Sequence, residues 1–224
     1  GHVRVYDRDS SNTTVEPIGW KQVGGNIVGE VTGDKSGWSV AMSNDGSRIA
    51  IGAPYNDGTT GNINDNRGHV RVYDRDANEP LGWKQIGGDI VGEATGDNSG
   101  WSVAMNSSGT RIAIGAPRND IYIKYGNGRN AGHVRVYDRD ANETLGWKQI
   151  GGDINGQTGG YESGRSVAMS SDGNRIVIGA ILSRSNGRAS GQVNVYELNG
   201  SWWRNLSYVY GKAAYDYSGW SVKM

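Results

Sequence analysis

Acidic and amide side chains recur in one pattern along the chain, and this pattern is the first candidate for chemistry. Asp-Arg-Asp occurs at Asp7–Asp9, Asp74–Asp76 and Asp138–Asp140. In the second and third copies an asparagine follows two residues later, which makes an oxygen-rich loop of the kind that favours a hard cation such as calcium. The alternative is that the Asp and Asn side chains cap the turn while the arginine neutralises them. The calcium candidates are Asp74, Asp76, Asn78, Asp138, Asp140 and Asn142.

The residue types that catalysis needs are sparse and scattered. The chain has no cysteine, and its three histidines are His2, His69 and His133. They occupy the same place in successive repeats, so each belongs to its own unit and a shared zinc site is not expected. The sequence contains no nucleophile elbow, Walker loop, Rossmann fingerprint or His-Glu-x-x-His motif. It therefore predicts a protein that is not an enzyme and has no cofactor, with calcium as the one ion to test.

Two loops, residues 56–67 and 119–131, differ in length and sequence although their flanks match. Variable loops on a fixed scaffold are where binding surfaces usually lie, and the alternative is an unconstrained surface loop. The candidate binding residues are Asn56, Asp57, Asn64, Asp65, Tyr122, Tyr125 and Arg129.

Tryptophans recur at two positions of the repeat. Trp20, Trp83 and Trp147 occupy one position, and Trp38, Trp101 and Trp220 occupy the other. Exposed indole rings would stack on sugars, as a lectin requires. Their placement once per repeat, beside glycine, favours packing between structural units instead.

Five Asn-x-Ser/Thr sequons permit N-glycosylation if the protein is secreted by a eukaryote. A chain this rich in Asn, Ser and Thr also produces several such sequons by chance. The candidate asparagines are Asn12, Asn106, Asn142, Asn199 and Asn205.

A repeated unit positions all of these candidates. The segment Gly1–Asp9 returns unchanged at Gly68–Asp76 and Gly132–Asp140, and a weaker copy runs from Gly191 to Asn199. Such spacing is typical of propellers, solenoids or arrays, and a propeller is favoured over a solenoid or sandwich array.

Each repeat holds four strand-like pieces in a fixed order. Piece a is typified by Gly37–Met42, piece b by Arg48–Ala53, piece c by Gly68–Tyr73 and piece d by Gly82–Ile86. The pieces are short and rich in Val, Ile, Tyr and Trp, which suit a pleated sheet, and glycine-containing turns separate them. No window has a convincing helical period. The sequence therefore predicts an all-β fold, a β-propeller of four-stranded antiparallel blades with about 60 residues in each repeat.

Piece b is apolar on both faces, which is expected if each blade packs between two others. The chain reads c-d, then a-b-c-d three times, then a alone. We expect one repeat array over residues 1–224, with 3.5 to 4 blades: a partial blade at 1–35, blades at about 36–98, 99–162 and 163–217, and a terminal strand at 218–224. This order favours a segment or protomer of a larger ring or chain.

The order of motifs resembles the FG-GAP repeat family, which includes the blades of the integrin α-chain propeller. The resemblance rests on Trp83, Gly96-Asp97, Ser99–Ala104, Ile114–Pro117 and Gly132–Tyr137, and the preceding copy matches in the same order. It implies a propeller fold and a role in adhesion, recognition or extracellular architecture. Many members carry a calcium loop between pieces a and b. The short turn at Ser43–Gly46 has too few carboxylates for the 6 to 8 oxygen ligands of calcium.

Composition narrows the function classes. The net charge is zero, with 23 basic and 23 acidic residues, so there is no electrostatic signature of nucleic-acid binding. No apolar run approaches the length of a membrane span. We expect a structural or adhesive scaffold at a cell surface or in an extracellular assembly, with other protein chains as partners, copies of itself included. A glycan-binding propeller and an accessory domain of a larger secreted enzyme are the alternatives.

Overall fold

The computed structural model describes residues 1–58, 62–121 and 128–224. Within them every regular element is a β-strand, and no helix is present that would be long and apolar enough to cross a membrane. The predicted all-β fold is confirmed.

The strands form four consecutive groups. The half-blade contains β1 (His2–Val3), β2 (Tyr6–Arg8), β3 (Trp20–Gln22) and β4 (Ile27–Val28). The first blade contains β5 (Ser39–Met42), β6 (Arg48–Ala53), β7 (His69–Arg75), β8 (Trp83–Gln85) and β9 (Ile90–Val91). The second blade contains β10 (Ser102–Met105), β11 (Arg111–Ala116), β12 (His133–Arg139), β13 (Trp147–Gln149) and β14 (Ile154–Asn155). The third blade contains β15 (Ser163–Met169), β16 (Arg175–Ala180), β17 (Gln192–Asn199) and β18 (Trp202–Tyr210).

Each blade is an antiparallel sheet in chain order. The order is β5-β6-β7-β8, β10-β11-β12-β13 and β15-β16-β17-β18, as pieces a to d predict. The first strands of neighbouring blades also contact one another, β5 with β10 and β10 with β15. This is the arrangement of propeller blades, in which the first strand of each sheet lies on the inner side.

Three features differ from the prediction. The short strands β9 and β14 add a fifth element to their sheets by pairing with β7 and β12, and the sequence pattern did not identify them. In the third blade, the outer strand β18 is continuous over nine residues. Of residues 218–224, expected as a terminal strand, Ser218 forms only an isolated bridge with Gly191, and residues 219–224 form no strand. In the three blades piece a is a strand because it pairs with piece b, and residues 219–224 pair with no strand of the described part of the chain.

The core lies between the blades. Ile49 and Ile51 of β6 pack against the half-blade, whereas Ala50 of the same strand faces the second blade. The strand β11 repeats this arrangement, with Ile112 and Ile114 facing back and Ala113 facing forward. Large side chains on one face and a small one on the other let neighbouring sheets approach closely. The two-sided apolar character of piece b is thereby explained.

Candidate functional site

Four copies of one loop, the first three at the start of β5, β10 and β15, place one large side chain each. The loop reads x-Ser-Gly followed by Trp or Arg, and its glycines, Gly37, Gly100, Gly164 and Gly219, have φ between 84° and 88°. A positive φ of this kind is readily adopted only by glycine. The residues two places earlier, Lys35, Asn98, Glu162 and Tyr217, also have positive φ. The backbone therefore takes the same path in every copy.

Three of these loops are held by the preceding blade. Ser39 Oγ donates a hydrogen bond to the Gly100 carbonyl at 2.8 Å, and Ser102 Oγ donates one to the Gly164 carbonyl at 2.8 Å. The same pattern joins Ser166 to Gly219. Backbone positions fixed in this way present the side chain that follows each glycine on a rigid support.

The side chains so presented form a continuous row, which we call the aromatic row. It consists of Tyr55, Trp38, Trp101, Arg165, Trp220 and Tyr217. The ring centroids of Trp38 and Trp101 are 4.8 Å apart. The Arg165 guanidinium carbon lies 4.2 Å from the Trp101 centroid and 5.6 Å from that of Trp220. Both distances lie within the range of a cation–π contact.

The row remains open to solvent along its length. Trp38 is 46% exposed and Trp220 is 62% exposed, while Trp101 and Arg165 are half-buried. Trp38 and Trp220 are therefore not buried between blades as predicted, whereas Trp101 is half-buried between Trp38 and Arg165 of the neighbouring blades. The row presents flat aromatic faces on both sides of one fixed positive charge.

The other set of tryptophans does pack between blades. Trp83, Trp147 and Trp203 are buried, and their Nε1–H groups donate to carbonyls of the preceding unit, those of Val23, Ile86 and Ile150. Trp20, at the same repeat position in the half-blade, is 47% exposed. For Trp83 and Trp147 the packing interpretation is confirmed, and Trp203, which the pattern did not include, packs in the same way.

The predicted calcium residues already have protein partners. Arg48 binds the Asp74 carboxylate through two N–H groups at 2.5 and 2.8 Å, and Arg111 binds Asp138 in the same way. Asp76 accepts a hydrogen bond from the backbone N–H of Asn78, and Asp140 accepts one from that of Asn142. These are the turn-capping contacts of the alternative interpretation. Calcium binding at these loops stays a prediction.

The variable loops differ from the prediction in what they expose. Asn56 and Asp65 are buried. Asn56 Nδ2 donates a hydrogen bond to Asp34, and Asp65 forms an ion pair with Arg67. Their side chains hold the loop in place and do not offer a binding surface. Asn64 and Arg129 are exposed, and Asp57 is half-buried. Tyr122 and Tyr125 lie outside the described residues.

The sequon asparagines have unequal access to solvent. Asn142 and Asn199 are exposed, Asn12 and Asn205 are half-buried, and Asn106 is buried in the turn between β10 and β11. Glycosylation stays a prediction, for which Asn142 and Asn199 offer the most accessible amides.

Two of the three histidines lie at junctions between blades, each beside two carboxylates. His69 lies with Glu30 and Asp89, and the ligand atoms of the three side chains are all within 4.8 Å of one another. His133, Glu93 and Asp153 repeat the arrangement one blade later. We call these the junction clusters.

Arginine completes each junction cluster. Arg71 binds Asp89 at 2.9 and 2.8 Å and also contacts Glu30, while Arg135 does the same for Asp153 and Glu93. Burial lowers the pKa of His69, and burial beside Arg135 lowers the pKa of His133 to about 4. Both pKa values lie below the usual histidine value of about 6.5, so both imidazoles are neutral at pH 7.

The sequence prediction correctly assigned the histidines to separate blades but missed their partners. Each Glu precedes its His by 39 or 40 positions and belongs to the preceding unit, as Glu30 to His69 and Glu93 to His133 show. One signal was available in the repeats. Where His is replaced by Gln192 in the third blade, the corresponding Glu is also replaced, by Gln157.

Comparisons with known proteins agree with the repeat. The model of the FG-GAP repeat family matches residues 30–73, which confirms the predicted resemblance for that segment. Comparison with curated protein sequences finds no significant match.

Among solved structures, the chain is similar to hydrazine synthase of Kuenenia stuttgartiensis, with 14% identity and a TM-score of 0.47 over 83% of this chain and 40% of that one. It is also similar to a protein from Desulfotomaculum acetoxidans described as functionally unknown, with 14% identity and a TM-score of 0.45 over 84% of this chain and 45% of that one. The chain thus spans less than half the length of either protein.

Proposed function

We propose that the chain is a non-catalytic repeat scaffold that mediates protein–protein contacts at a cell surface or in an extracellular assembly, with the aromatic row as its contact face. The observation that carries this proposal is the row itself. Trp38, Trp101, Arg165 and Trp220 come from four different repeats and lie side by side at the surface.

The composition of the row supports protein recognition. Trp, Tyr and Arg are the residue types most enriched among the side chains that dominate binding energy at protein interfaces. Here they are contiguous, and their supporting backbone is tied to the preceding blade by the Ser39 and Ser102 hydrogen bonds. A rigid, preorganised aromatic surface loses little conformational entropy when it binds.

The environment of the ionisable groups supports a role without catalysis. His69 and His133 are buried inside junctions, where they are poorly placed to exchange protons with a substrate. Asp74 and Asp138 are held by arginines. A general acid or base must reach the reacting group within hydrogen-bond distance.

Selection of a random peptide library against the immobilised chain tests the contact face. We expect enriched peptides to bind the Trp38→Ser/Trp220→Ser variant at least about 10-fold more weakly, because truncating an interface anchor typically costs more than about 1 kcal/mol. Fluorescence polarisation of the labelled peptides measures the change. Trp202→Ser, an exposed tryptophan of β18 outside the row, is the matched control and should leave binding unchanged. Failure to enrich any peptide, or equal binding by the row variant, would contradict the proposal.

Glycan binding is the second candidate, because Trp38 and Trp220 expose ring faces on which a sugar can stack. A glycan array with the same variants, with and without calcium, separates the two functions. Glycan signal that disappears in the Trp38→Ser/Trp220→Ser variant, together with no peptide enrichment, would favour the lectin.

The extracellular location is a separate part of the proposal, supported by the FG-GAP repeat at residues 30–73, since such repeats are typical of extracellular proteins. We expect a membrane-impermeant biotin reagent to label the protein on intact cells or in the culture medium. Labelling that appears only after the cells are lysed would contradict this part.

A further inference from the structure

We propose that each junction cluster binds a divalent transition-metal ion, with Zn²⁺ as the first choice, through the histidine Nδ1 and one oxygen from each of the two carboxylates. The first site consists of His69, Glu30 and Asp89, and the second consists of His133, Glu93 and Asp153. One imidazole and two carboxylates form a ligand set that Zn²⁺ accepts, with a water in the fourth position.

The geometry of the first cluster suits a shared ligand better than direct hydrogen bonds. His69 Nδ1 lies 3.8 Å from Asp89 Oδ2 and 3.9 Å from Glu30 Oε2, and both distances are too long for hydrogen bonds. A point equidistant from three atoms so placed lies about 2.2 to 2.5 Å from each, and metal–ligand distances are about 2.0 to 2.6 Å. The side chains therefore need to close by only a few tenths of an ångström around Zn²⁺.

An unsatisfied atom in the second cluster points independently to a ligand. His133 is 3% exposed, and its Nδ1 makes no hydrogen bond with any atom of the described part of the chain. The same Nδ1 lies 3.9 Å from Glu93 Oε2. A buried polar atom without a partner is rare and costly in native proteins, and a metal ion at the shared point would satisfy it.

The arginines orient the carboxylates. Arg71 Nη2 donates to Asp89 Oδ2 at 2.8 Å, and the second lone pair of that oxygen is left for the ion. Arg71 contacts Glu30 through Oε1, which leaves Oε2 facing His69 and accepting a 3.3 Å hydrogen bond from Asn56. Metal-binding carboxylates are commonly held by such outer hydrogen bonds. With a neutral imidazole, the two carboxylates and one guanidinium sum to one negative charge, so a divalent cation is electrostatically favoured.

The third blade provides an internal comparison. At the repeat position of Glu30 and Glu93, directly after a glycine, this blade's junction has Gln157. At the histidine position it has Gln192. Gln192 is buried and hydrogen-bonds to Asn194, which replaces the arginine. The acidic, imidazole and guanidinium groups are thus lost together. Glutamine at these positions is compatible with the same blade, so His→Gln and Glu→Gln are structurally conservative tests.

Metal stoichiometry measured after equilibrium dialysis of the full chain against Zn²⁺ tests the proposal. We expect two Zn²⁺ per wild-type chain, one in His69→Gln, one in His133→Gln and none in the double variant. The exposed His2 serves as control, and His2→Gln should keep two. Saturating Zn²⁺ at about 100 times the Kd of both sites should raise the melting temperature of the wild type by about 10 to 20 °C, and this shift should vanish in the double variant.

A second pair of variants keeps the test independent of folding. Glu30 and Glu93 are surface-accessible, so Glu30→Gln/Glu93→Gln should retain the β-sheet circular dichroism and lose Zn²⁺ binding. Replacement of Zn²⁺ by Co²⁺ should give visible absorption bands in the wild type and none in either double variant. The proposal is overturned if the wild type binds no Zn²⁺, or if folded double variants retain the wild-type stoichiometry. Calcium binding that persists in both double variants would be assigned to the separate Asp-x-Asp-x-Asn loops and not to the junction clusters.

Discussion

Replacing Trp147 with alanine is expected to lower the free energy of unfolding by about 3 to 5 kcal/mol, the usual cost of deleting a buried tryptophan. The indole is 2% exposed and packs against Val70, Val72 and Ile114 at the junction of the first and second blades. The substitution also removes the Nε1–H donor of the Ile86 carbonyl. Chemical denaturation followed by tryptophan fluorescence measures the loss, with circular dichroism as the second probe.

Trp20→Ala is the matched control for this prediction. Trp20 occupies the same place in the repeat, but its side chain is 47% exposed. We expect a change below about 1 kcal/mol, as for most surface substitutions. Equal destabilisation by the two substitutions would show that the repeat position, and not burial at a junction, determines the effect. It would remove the evidence that junctions hold the array together.

Replacing Gly115 with alanine is expected to destabilise the chain by about 3 kcal/mol, through overpacking of two backbones. A Cβ at this position would lie closer than 3.0 Å to the Gly164 carbonyl oxygen and to Ser102 Oγ. Because that carbonyl belongs to the loop that presents Arg165, the clash would also disturb the aromatic row. The test combines denaturation with the peptide-binding measurement, and both stability and binding should fall.

Gly152→Ala controls for the general cost of removing a glycine. Its added Cβ would meet nothing within 4 Å, and its φ is not in the left-handed region. We expect a change within about 0.5 kcal/mol, or a slight stabilisation through the unfolded state. If Gly115→Ala behaved like Gly152→Ala, the close approach of neighbouring blades at Gly115 and Gly164 would be refuted.

The close approach at Gly115 accounts for two glycine positions that recur in the repeat. The glycine of Ile-Gly-Ala in one blade meets the glycine of the Ser-Gly-Trp or Ser-Gly-Arg loop in the next, at Gly52 with Gly100 and at Gly115 with Gly164. Gly179 and Gly219 repeat the contact. The two glycine positions recur within each repeat, but the contact that requires glycine is made between one repeat and the next. The same contact sets the spacing at which the aromatic row forms.

The arrangement links structure to the proposed function in a specific way. Each junction contains an apolar core, the junctions between complete blades also contain the approach of two glycines, and the first two junctions contain a junction cluster. A metal ion bound there would stiffen the relative orientation of neighbouring blades, and the side chains of the row would be held accordingly. The two proposals remain separable, because the peptide test changes only Trp38 and Trp220, and the metal test changes only junction residues.

The sequence by itself determined the four main strands of each blade and their order along the chain. The apolar residues of Arg48–Ala53 and the alternation in His69–Arg75 specify strands through local propensity and period, and glycine-containing turns connect them into antiparallel order. Its repetition also determined that each histidine belongs to its own unit. These properties are local, so a pattern of a few residues is sufficient to specify them.

Only the tertiary structure decided which side chains meet across the junctions. Three features depend on how one blade is rotated and spaced against the next. They are the contact of Trp101 with Arg165, the contact of Glu30 with His69, and the burial of Asn56. That rotation is set by packing of Ile against Ala and by glycine contacts between residues about 50 positions apart. No short sequence window contains both partners of such a contact, so sequence alone left these sites unassigned.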